Sequence, residues 1–404
     1  MRRALAVLLL CLPLTAQRFP SPGGLPGTPF LITKTWIIGG TGNWDYLAMD
    51  PAASRLYIAH GPAVQVVDVE TGNLAGTVTG FRQAHAIVLD RSGQAGYVSD
   101  GPAARIRVFD RLTLQAVANI PTGPSPRALA LDPQSGLLFA ICSGPEAGSS
   151  TAPASAAVSS KSMITVIDTR SREALANLVI RGKLGFAQAG DGQLYITVAD
   201  RNGIMRIDTS SIAATLRTMV GSSGSTQASG RDEHQPLLLD WSQGPRSSVP
   251  PGTPLRFIPL GPDCNGPRSL AVDSRDQRLF TACDNMELVV TNADTGGHVA
   301  SLPIGPGADA IGYDPDRRLI FTANGGGDGS LTVIRQDVTD TYSVIQNLPT
   351  RKQARTLAVD PSSGDVYLVT VLEAAEVGPP PMNGIGTLRL KAVDSTFQVL
   401  VVGH

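Results

Sequence analysis

Short apolar runs along the chain end repeatedly at an acidic residue, and an aromatic residue follows that acid seven positions later. Six copies keep both residues: Asp50 and Tyr57, Asp90 and Tyr97, Asp132 and Phe139, Asp273 and Phe280, Asp314 and Phe321, and Asp360 and Tyr367. A seventh, weaker copy keeps Tyr195 but has Gln188 in place of the acid. The copies recur about every 40 to 46 residues, with wider gaps after the third and fourth copies, which is the period of a propeller blade.

Each copy predicts four short antiparallel strands. The first strand is a run of small apolar residues such as Ala128 to Leu131, and the turn-forming pair Asp132-Pro133 ends it. The second strand carries the aromatic residue, and the third ends in patterns such as Val66-Val67-Asp68. Runs of this kind lack a clean polar alternation, as expected when both faces of a sheet are covered by neighbours. We therefore predict an all-β, seven-bladed β-propeller of four-stranded antiparallel blades.

The second and third strands of the sixth copy, Leu319 to Gly325 and Gly329 to Ile334, resemble the YVTN-repeat family of seven-bladed propellers, as does Leu279 to Asp284 in the fifth copy. This resemblance implies an exported or surface-exposed binding scaffold and implies no particular reaction. The family's asparagine after the second strand is kept only at Asn324. The full set of these positions, here called the strand-end ring, is His60, Asp100, Cys142, Val198, Cys283, Asn324 and Thr370. We expect its members to cap turns.

The start of the chain has the order of a secretory signal peptide. Arg2 and Arg3 precede the apolar run Ala4 to Leu12, and the small residues Thr15-Ala16 offer a cleavage point. We therefore expect residues 1–16 to be a signal peptide, residues 17–30 to be a linker and residues 31–404 to form the propeller. The protein is expected in the periplasm, on the cell surface or outside the cell, without a transmembrane segment in the mature chain, because no later apolar run reaches about 18 residues.

Either end of the propeller region can close the ring. Leu31 to Ile38 and Phe397 to Val402 both have the pattern of an outer strand, and either can complete the last blade. Closure matters because an unpaired edge strand leaves backbone groups open to other chains. A closed ring is consistent with the monomer that we expect.

Composition excludes some classes of protein. Hydrophobic residues make up 42% and charged residues 17% of the chain, and 33 basic residues nearly balance 34 acidic ones for a net charge of -1. Such a chain can bury a large core, so it is not a disordered polyelectrolyte. The balance also argues against a globally basic nucleic-acid binder, and no nucleic-acid partner is expected.

Charged residues recur five positions before each anchor of the repeat. Because the first strand begins at the face where the second strand ends, these residues are expected to surround one mouth of the central channel. The seven positions, here called the mouth ring, are Asp45, His85, Arg127, Lys183, Arg268, Asp309 and Arg355. Guanidinium groups bind carboxylate or phosphate through forked donors, so the ring predicts capture of an anionic ligand. The two aspartates either orient the arginines or bind cationic groups of the ligand. The alternative is that these side chains only pair across blades.

Two functions stay open at this point. The preferred one is a binding scaffold, without a cofactor, for a protein, a peptide, a glycan or a small anion. The alternative resembles the propeller lactonases, with His85 or Asp45 as the base at the channel mouth and an arginine stabilising the oxyanion. His60 and His85 of adjacent blades can approach each other in a propeller, but no compact metal-binding motif occurs and no metal is expected.

The cysteines and the long connections between repeats lead to further predictions. Cys264 and Cys283 bracket the first hairpin of the fifth copy, so a disulfide between them is within reach although the register does not enforce it. Cys142 is expected to stay a buried thiol. Residues 143–160 and 210–254 interrupt the repeat, and 373–384 form another long connection. We expect 210–254 to be a flexible loop or a partner contact on the face opposite the mouth ring.

Overall fold

A computed structural model describes residues 28–143, 160–222, 236–241, 255–377 and 388–404. Within these ranges the strands form seven sheets of four or five strands and one separate two-stranded hairpin. The first strand of each sheet contacts the first strand of the next sheet, and the first strand of the last sheet contacts that of the first. The sheets are therefore blades of a closed ring, which confirms the predicted all-β, seven-bladed propeller.

The first four blades lie between residues 44 and 259, and β1 (Leu31–Ile37) precedes them. Blade one contains β2 (Trp44–Asp50), β3 (Arg55–His60), β4 (Ala63–Asp68) and β5 (Leu74–Thr79). Blade two contains β6 (Ala84–Leu89), β7 (Ala95–Asp100), β8 (Arg105–Asp110) and β9 (Ala116–Pro121). Blade three contains β10 (Pro126–Asp132), β11 (Leu137–Ser143), β12 (Lys161–Asp168) and β13 (Glu173–Arg181). Blade four contains β14 (Leu184–Gly190), β15 (Gln193–Val198), β16 (Gly203–Asp208) and, after α1 (Thr209–Ser222) and β17 (Leu237–Trp241), β18 (Leu255–Pro259).

The last three blades follow without a gap in the ring. Blade five contains β19 (Pro267–Asp273), β20 (Arg278–Cys283), β21 (Glu287–Asn292) and β22 (His298–Pro303). Blade six contains β23 (Ala308–Asp314), β24 (Leu319–Asn324), β25 (Ser330–Val338) and β26 (Thr341–Pro349). Blade seven begins with β27 (Leu357–Val359) and β28 (Val366–Thr370), and the hairpin β29 (Glu373–Val377) and β30 (Leu388–Ala392) separates these from β31 (Gln398–Gly403). Short 3-10 turns occupy Pro51–Ala53, Gly101–Ala103, Ala199–Arg201 and Asp394–Thr396.

Both ends of the chain close the ring. β31 pairs with β28 as the third strand of blade seven, and β1 pairs with β31 as the fourth. Just before β1, Phe30 is buried, and the Gln346 side chain of blade six bonds to its N–H at 2.9 Å and its carbonyl at 2.8 Å. The sequence left a choice between the two terminal segments, and the structure uses both of them in one sheet.

Part of the insertion after β16 is regular structure, so the expectation of a flexible loop was wrong for these residues. Helix α1 buries Ile212, Ala213 and Leu216 in the core cluster that blades three and four share. β17 adds a fifth strand, parallel to β13, at the outer edge of blade three. The helix forms because this apolar face has a core to cover, which outweighs the loop-like composition around it. Residues 1–27, 144–159 and the centre of the 373–384 connection lie outside the described residues.

The repeated acid has two structural functions. Asp132 accepts bonds from the backbone N–H groups of Gln134 and Ser135 in its own turn. It also accepts the hydroxyl of Thr209 in the next blade at 2.6 Å. Asp50 likewise bonds to the buried Arg111 of blade two. The acid thus caps the turn that ends its strand, and in the copies at Asp50 and Asp132 it also joins its blade to the next one.

Candidate functional site: the channel mouth

The mouth ring lies where the first strand of a blade leaves its regular register. The pairing of the first two strands shifts between Pro126 and Ala128 in blade three, and at the matching place in blades one, two, five and six. The residue inside the shift is Arg127 in blade three and Arg268 in blade five. A β-bulge turns a side chain away from the sheet. This repeated irregularity therefore brings side chains of distant segments to one opening.

Lys183 does not occupy the ring position of blade four, contrary to the prediction from the sequence. In blade four the register shift runs from Leu184 to Ala187, so the position that matches Asp45 is Gly185. The turn between β14 and β15 holds only two residues instead of four, which moves the alignment by two positions. Lys183 precedes β14 and is exposed, and its N–H bonds to Asp200 at 2.6 Å. Without Lys183 the ring carries three arginines and two aspartates, a net charge of +1 with His85 neutral.

Asp45 and His85 form a pair between blades one and two. The carboxylate of Asp45 lies 2.7 Å from Nδ1 of His85, whose side chain is only 4% exposed. The other ring nitrogen faces the backbone of blade two, because a Cβ on Gly101 would lie 2.8 Å from Nε2. His85 therefore orients Asp45 and does not present a free nitrogen to the channel mouth.

Arg355 and Asp309 form a second pair, between blades seven and six. Their Nε and Oδ2 atoms are 3.2 Å apart. Arg355 also donates to the carbonyl of Trp44 at 3.2 Å and lies over its ring at 5.4 Å, which reaches blade one. Burial in the mouth raises the pKa of Asp309 above 3.8, and the opposing effect of Arg355 does not cancel this rise. A carboxylate with a raised pKa beside arginines is typical of a site arranged for function.

The guanidinium of Arg268 has N–H donors that no described residue uses. Its Nε bonds to Asp284 at 2.5 Å, and its side chain is 57% exposed. Its two terminal nitrogens make no hydrogen bond with any described residue. Asp284 is the main cause of the raised pKa of Arg268, and the charges of Asp309 and Tyr46 add smaller contributions. A guanidinium that is fixed through Nε and has free terminal nitrogens can donate to two oxygens of one anion.

Tyr46 and Phe186 form the floor of the mouth. Tyr46 follows Asp45 in blade one and Phe186 follows Gly185 in blade four, and their ring centroids are 5.4 Å apart. Burial, followed by Asp45 and Asp309, raises the pKa of Tyr46 well above 10.0, so its hydroxyl stays a donor. Sequence reasoning missed both residues, although a signal was present. The matching positions of the other blades all carry smaller residues: Ala86, Ala128, Ser269, Ala310 and Thr356.

The members of the strand-end ring are packed inside the blades. All seven of its members are buried. His60 bonds to Gln65 through Nδ1 at 2.8 Å and to the carbonyl of Gly42 through Nε2 at 3.1 Å, so both of its nitrogens are used. Asp100 accepts from the N–H of Arg82 and from the side chain of Arg105. Within the described ranges no group of three His, Cys, Asp or Glu side chains is arranged to hold a metal ion.

A disulfide joins Cys264 to Cys283 beside the mouth, with an S–S distance of 2.03 Å. Cys142 is a buried free thiol, and burial raises its pKa to about 11.

On the side of blade seven, Glu373 at the base of the β29–β30 hairpin bonds to Lys352 at 2.9 Å and to Gln353 at 2.9 Å. The disulfide and this contact fix the loops on two sides of the opening.

The comparisons with known proteins support the fold alone. No protein-family model matches the chain, and no curated protein matches it. One similar solved structure is a chain in the crystal structure of a mitotic checkpoint complex, with a TM-score of 0.61 and 12% identity over 90% of this chain and 96% of that chain. Another is the hydrazine synthase of Kuenenia stuttgartiensis, with a TM-score of 0.57 and 16% identity over 80% and 91% of the two chains. Among the described residues, no helix has the length and apolar composition that a membrane crossing needs.

Proposed function

We propose that this protein is an exported YVTN-type β-propeller that acts as a binding scaffold and captures a small anionic ligand at its channel mouth. The ligand carries a carboxylate or a phosphate, whose oxygens accept from the terminal nitrogens of Arg268. Arg355 faces the same opening, and the Tyr46 hydroxyl adds a neutral donor at its floor.

The observation that carries this proposal is the geometry of Arg268. Asp284 fixes one edge of its guanidinium and leaves the terminal nitrogens without a partner among the described residues. An arginine oriented in this way loses less side-chain entropy on binding than a free one, which favours recognition. Asp309 is the local competitor for the arginines, and its raised pKa makes its charged form less favourable there.

Export rests on the order of residues 1–16 and on the family resemblance. The disulfide between Cys264 and Cys283 supports it, because disulfides persist in oxidising compartments. The hydrolase alternative needs a base at the mouth. His85, the candidate histidine, has its Nδ1 on Asp45 and its Nε2 against the backbone, so this geometry does not favour the alternative.

Isothermal titration of residues 17–404 with succinate, inorganic phosphate and neutral succinamide tests the proposal. We expect at least one of the two anions to bind and succinamide not to bind. Arg268→Gln should weaken the anion about tenfold or more, because a charge-assisted fork is lost. Arg275→Gln is the matched control, since Arg275 is an exposed arginine of the same blade that also pairs with an aspartate, Asp316, but lies in the turn after β19, on the opposite face.

Two results would contradict the proposal. One is the absence of binding for both anions. The other is an equal loss of affinity in the Arg268→Gln and Arg275→Gln variants, which would indicate a general charge effect instead of a site.

A further inference from the structure

A chamber of about 390 Å³ is lined by Tyr46, Phe186 and the residues that follow them in their strands, away from the mouth ring. Its walls are the first strands of blades one to four, and its outer end is marked by Arg91 and Pro133, which lie in the turns that follow these strands. Those turns are on the face opposite the mouth ring. The volume falls within the range of ordinary ligand pockets.

The walls of the chamber are apolar. Leu47, Met49, Val88, Leu89 and Leu131 line it, and each of them is only partly buried. Apolar surface that stays in contact with water is unfavourable, at about 25 cal/mol for each Å². An apolar body that fills the chamber removes this surface from water, so the walls favour a hydrophobic ligand or part of one.

Two polar side chains in the lining lack a protein partner. Arg91 is the single charged residue among those that line the chamber, and it is exposed at the outer end. Its side chain makes no hydrogen bond or ion pair with the described residues. The neighbouring acid, Asp90, is used by Ser92, Gln94 and Arg111. Gln188, in blade four, likewise has no side-chain hydrogen bond within the described part of the chain.

Tyr46 and Phe186 lie at the end of the chamber lining that is nearest to the mouth ring along their strands. The rings contact each other between non-adjacent blades, and both rings line the chamber. The Tyr46 hydroxyl interacts electrostatically with the mouth aspartates and arginines. One side of the pair is therefore charged and the other apolar.

We propose that the chamber binds a small amphipathic monocarboxylate, whose apolar part fills the space between blades one and four. Its carboxylate pairs with Arg91 at the outer end. A lone, unpaired cation at the open end of an apolar chamber selects this chemistry over a neutral or cationic amphiphile. The inference does not depend on the proposed function of the mouth.

Titration with octanoate, 1-octanol and octylamine tests this site. We expect octanoate to bind the wild-type chain saturably with one site and more tightly than the other two probes. Arg91→Gln should weaken octanoate about tenfold and leave 1-octanol unchanged, because only the charged contact is lost. Arg170→Gln is the matched control, since Arg170 is exposed in the turn after β12, on the same face but away from the channel.

Two further variants identify the location. Ala189→Leu narrows the chamber and should weaken octanoate and 1-octanol alike, with an unchanged circular dichroism spectrum as the folding check. Arg268→Gln at the mouth should leave octanoate binding unchanged, which distinguishes the two sites. The absence of saturable octanoate binding, an equal effect of Arg170→Gln, or a loss of octanoate affinity in Arg268→Gln would overturn the proposal.

Discussion

Tyr46 of blade one contacts Phe186 of blade four across the central channel, with ring centroids 5.4 Å apart at an interplanar angle of 59°. Along these first strands the charged mouth-ring residues precede the two rings, and the apolar residues that line the chamber follow them. Each residue follows a mouth-ring position, inside the register shift of its first strand. The same local irregularity therefore supplies both the charged ring and the aromatic floor.

Asp309 should lower the free energy of unfolding as the pH rises, whereas a carboxylate with a lowered pKa has the opposite effect. Its pKa in the folded protein is raised above 3.8 by burial, so its contribution to stability is fully present below 3.8 and is lost as the pH rises through the raised value. Asp309→Asn should therefore gain free energy of unfolding relative to the wild type between pH 4 and pH 7. Urea unfolding at several pH values measures this difference.

Glu373→Gln is the control, because its stability relative to the wild type should change with pH in the opposite direction. The hydrogen bond from Lys352 lowers the pKa of Glu373 below 4.5, so its contribution is present above 4.5 and is lost as the pH falls. This variant should lose stability relative to the wild type as the pH rises through the same range. A parallel trend for both variants would contradict the account of Asp309.

Arg355 should stabilise the closure of the ring, because it joins blades six, seven and one. It pairs with Asp309 and both stacks on and donates to Trp44. Arg355→Ala should lower the free energy of unfolding by about 2 kcal/mol. Arg351→Ala on the same connection is the control, since Arg351 is exposed, and it should change stability by less than about 0.5 kcal/mol. An equal loss in the free energy of unfolding for the two variants would show that Arg355 does not stabilise the closure of the ring.

The disulfide should contribute to stability through the unfolded state. Cys264 and Cys283 are 19 positions apart, and closing a loop of this size is worth about 3 kcal/mol. Thermal unfolding with and without dithiothreitol should show a lower midpoint for the reduced chain. The double variant Cys264→Ser/Cys283→Ser should not respond to the reductant. A reductant effect of the same size in the double variant would assign the change to another cause.

Arg111 and Asp50 form a buried ion pair between blades one and two, with side chains 8% and 5% exposed. Arg111→Met leaves the Asp50 carboxylate buried without its partner and should cost about 3 kcal/mol. Adding Asp50→Asn should restore part of this loss, because the unpaired charge is removed. Equilibrium unfolding of the single and double variants measures the coupling. Strictly additive losses would show that the pair is not coupled.

The sequence was sufficient to predict the number of blades, because the acid and the aromatic residue recur at a fixed spacing. The acid is kept for a physical reason that the sequence alone does not show. Asp132 caps its own turn and also binds Thr209 of the next blade. Ring closure was left open because β1 and β31 have similar patterns, and only the pairing places both in blade seven.

The candidate site was predicted in outline only. A turn shorter by two residues moved the alignment of blade four, which placed Lys183 where Gly185 stands. The pairing of Arg268 with Asp284, outside the ring, depends on side-chain conformations that no spacing encodes. By contrast, Tyr46 and Phe186 could have been recognised in the sequence as unusual, because the matching positions of the other blades carry smaller residues.

Crystal structures of the chain grown with saturating succinate and, separately, with saturating phosphate test the central claim most directly. The account predicts one of these anions at the channel mouth, within hydrogen-bond distance of the terminal nitrogens of Arg268 and close to Arg355 and Tyr46. A mouth without either anion at that concentration, or anions bound only away from these three residues, would contradict it.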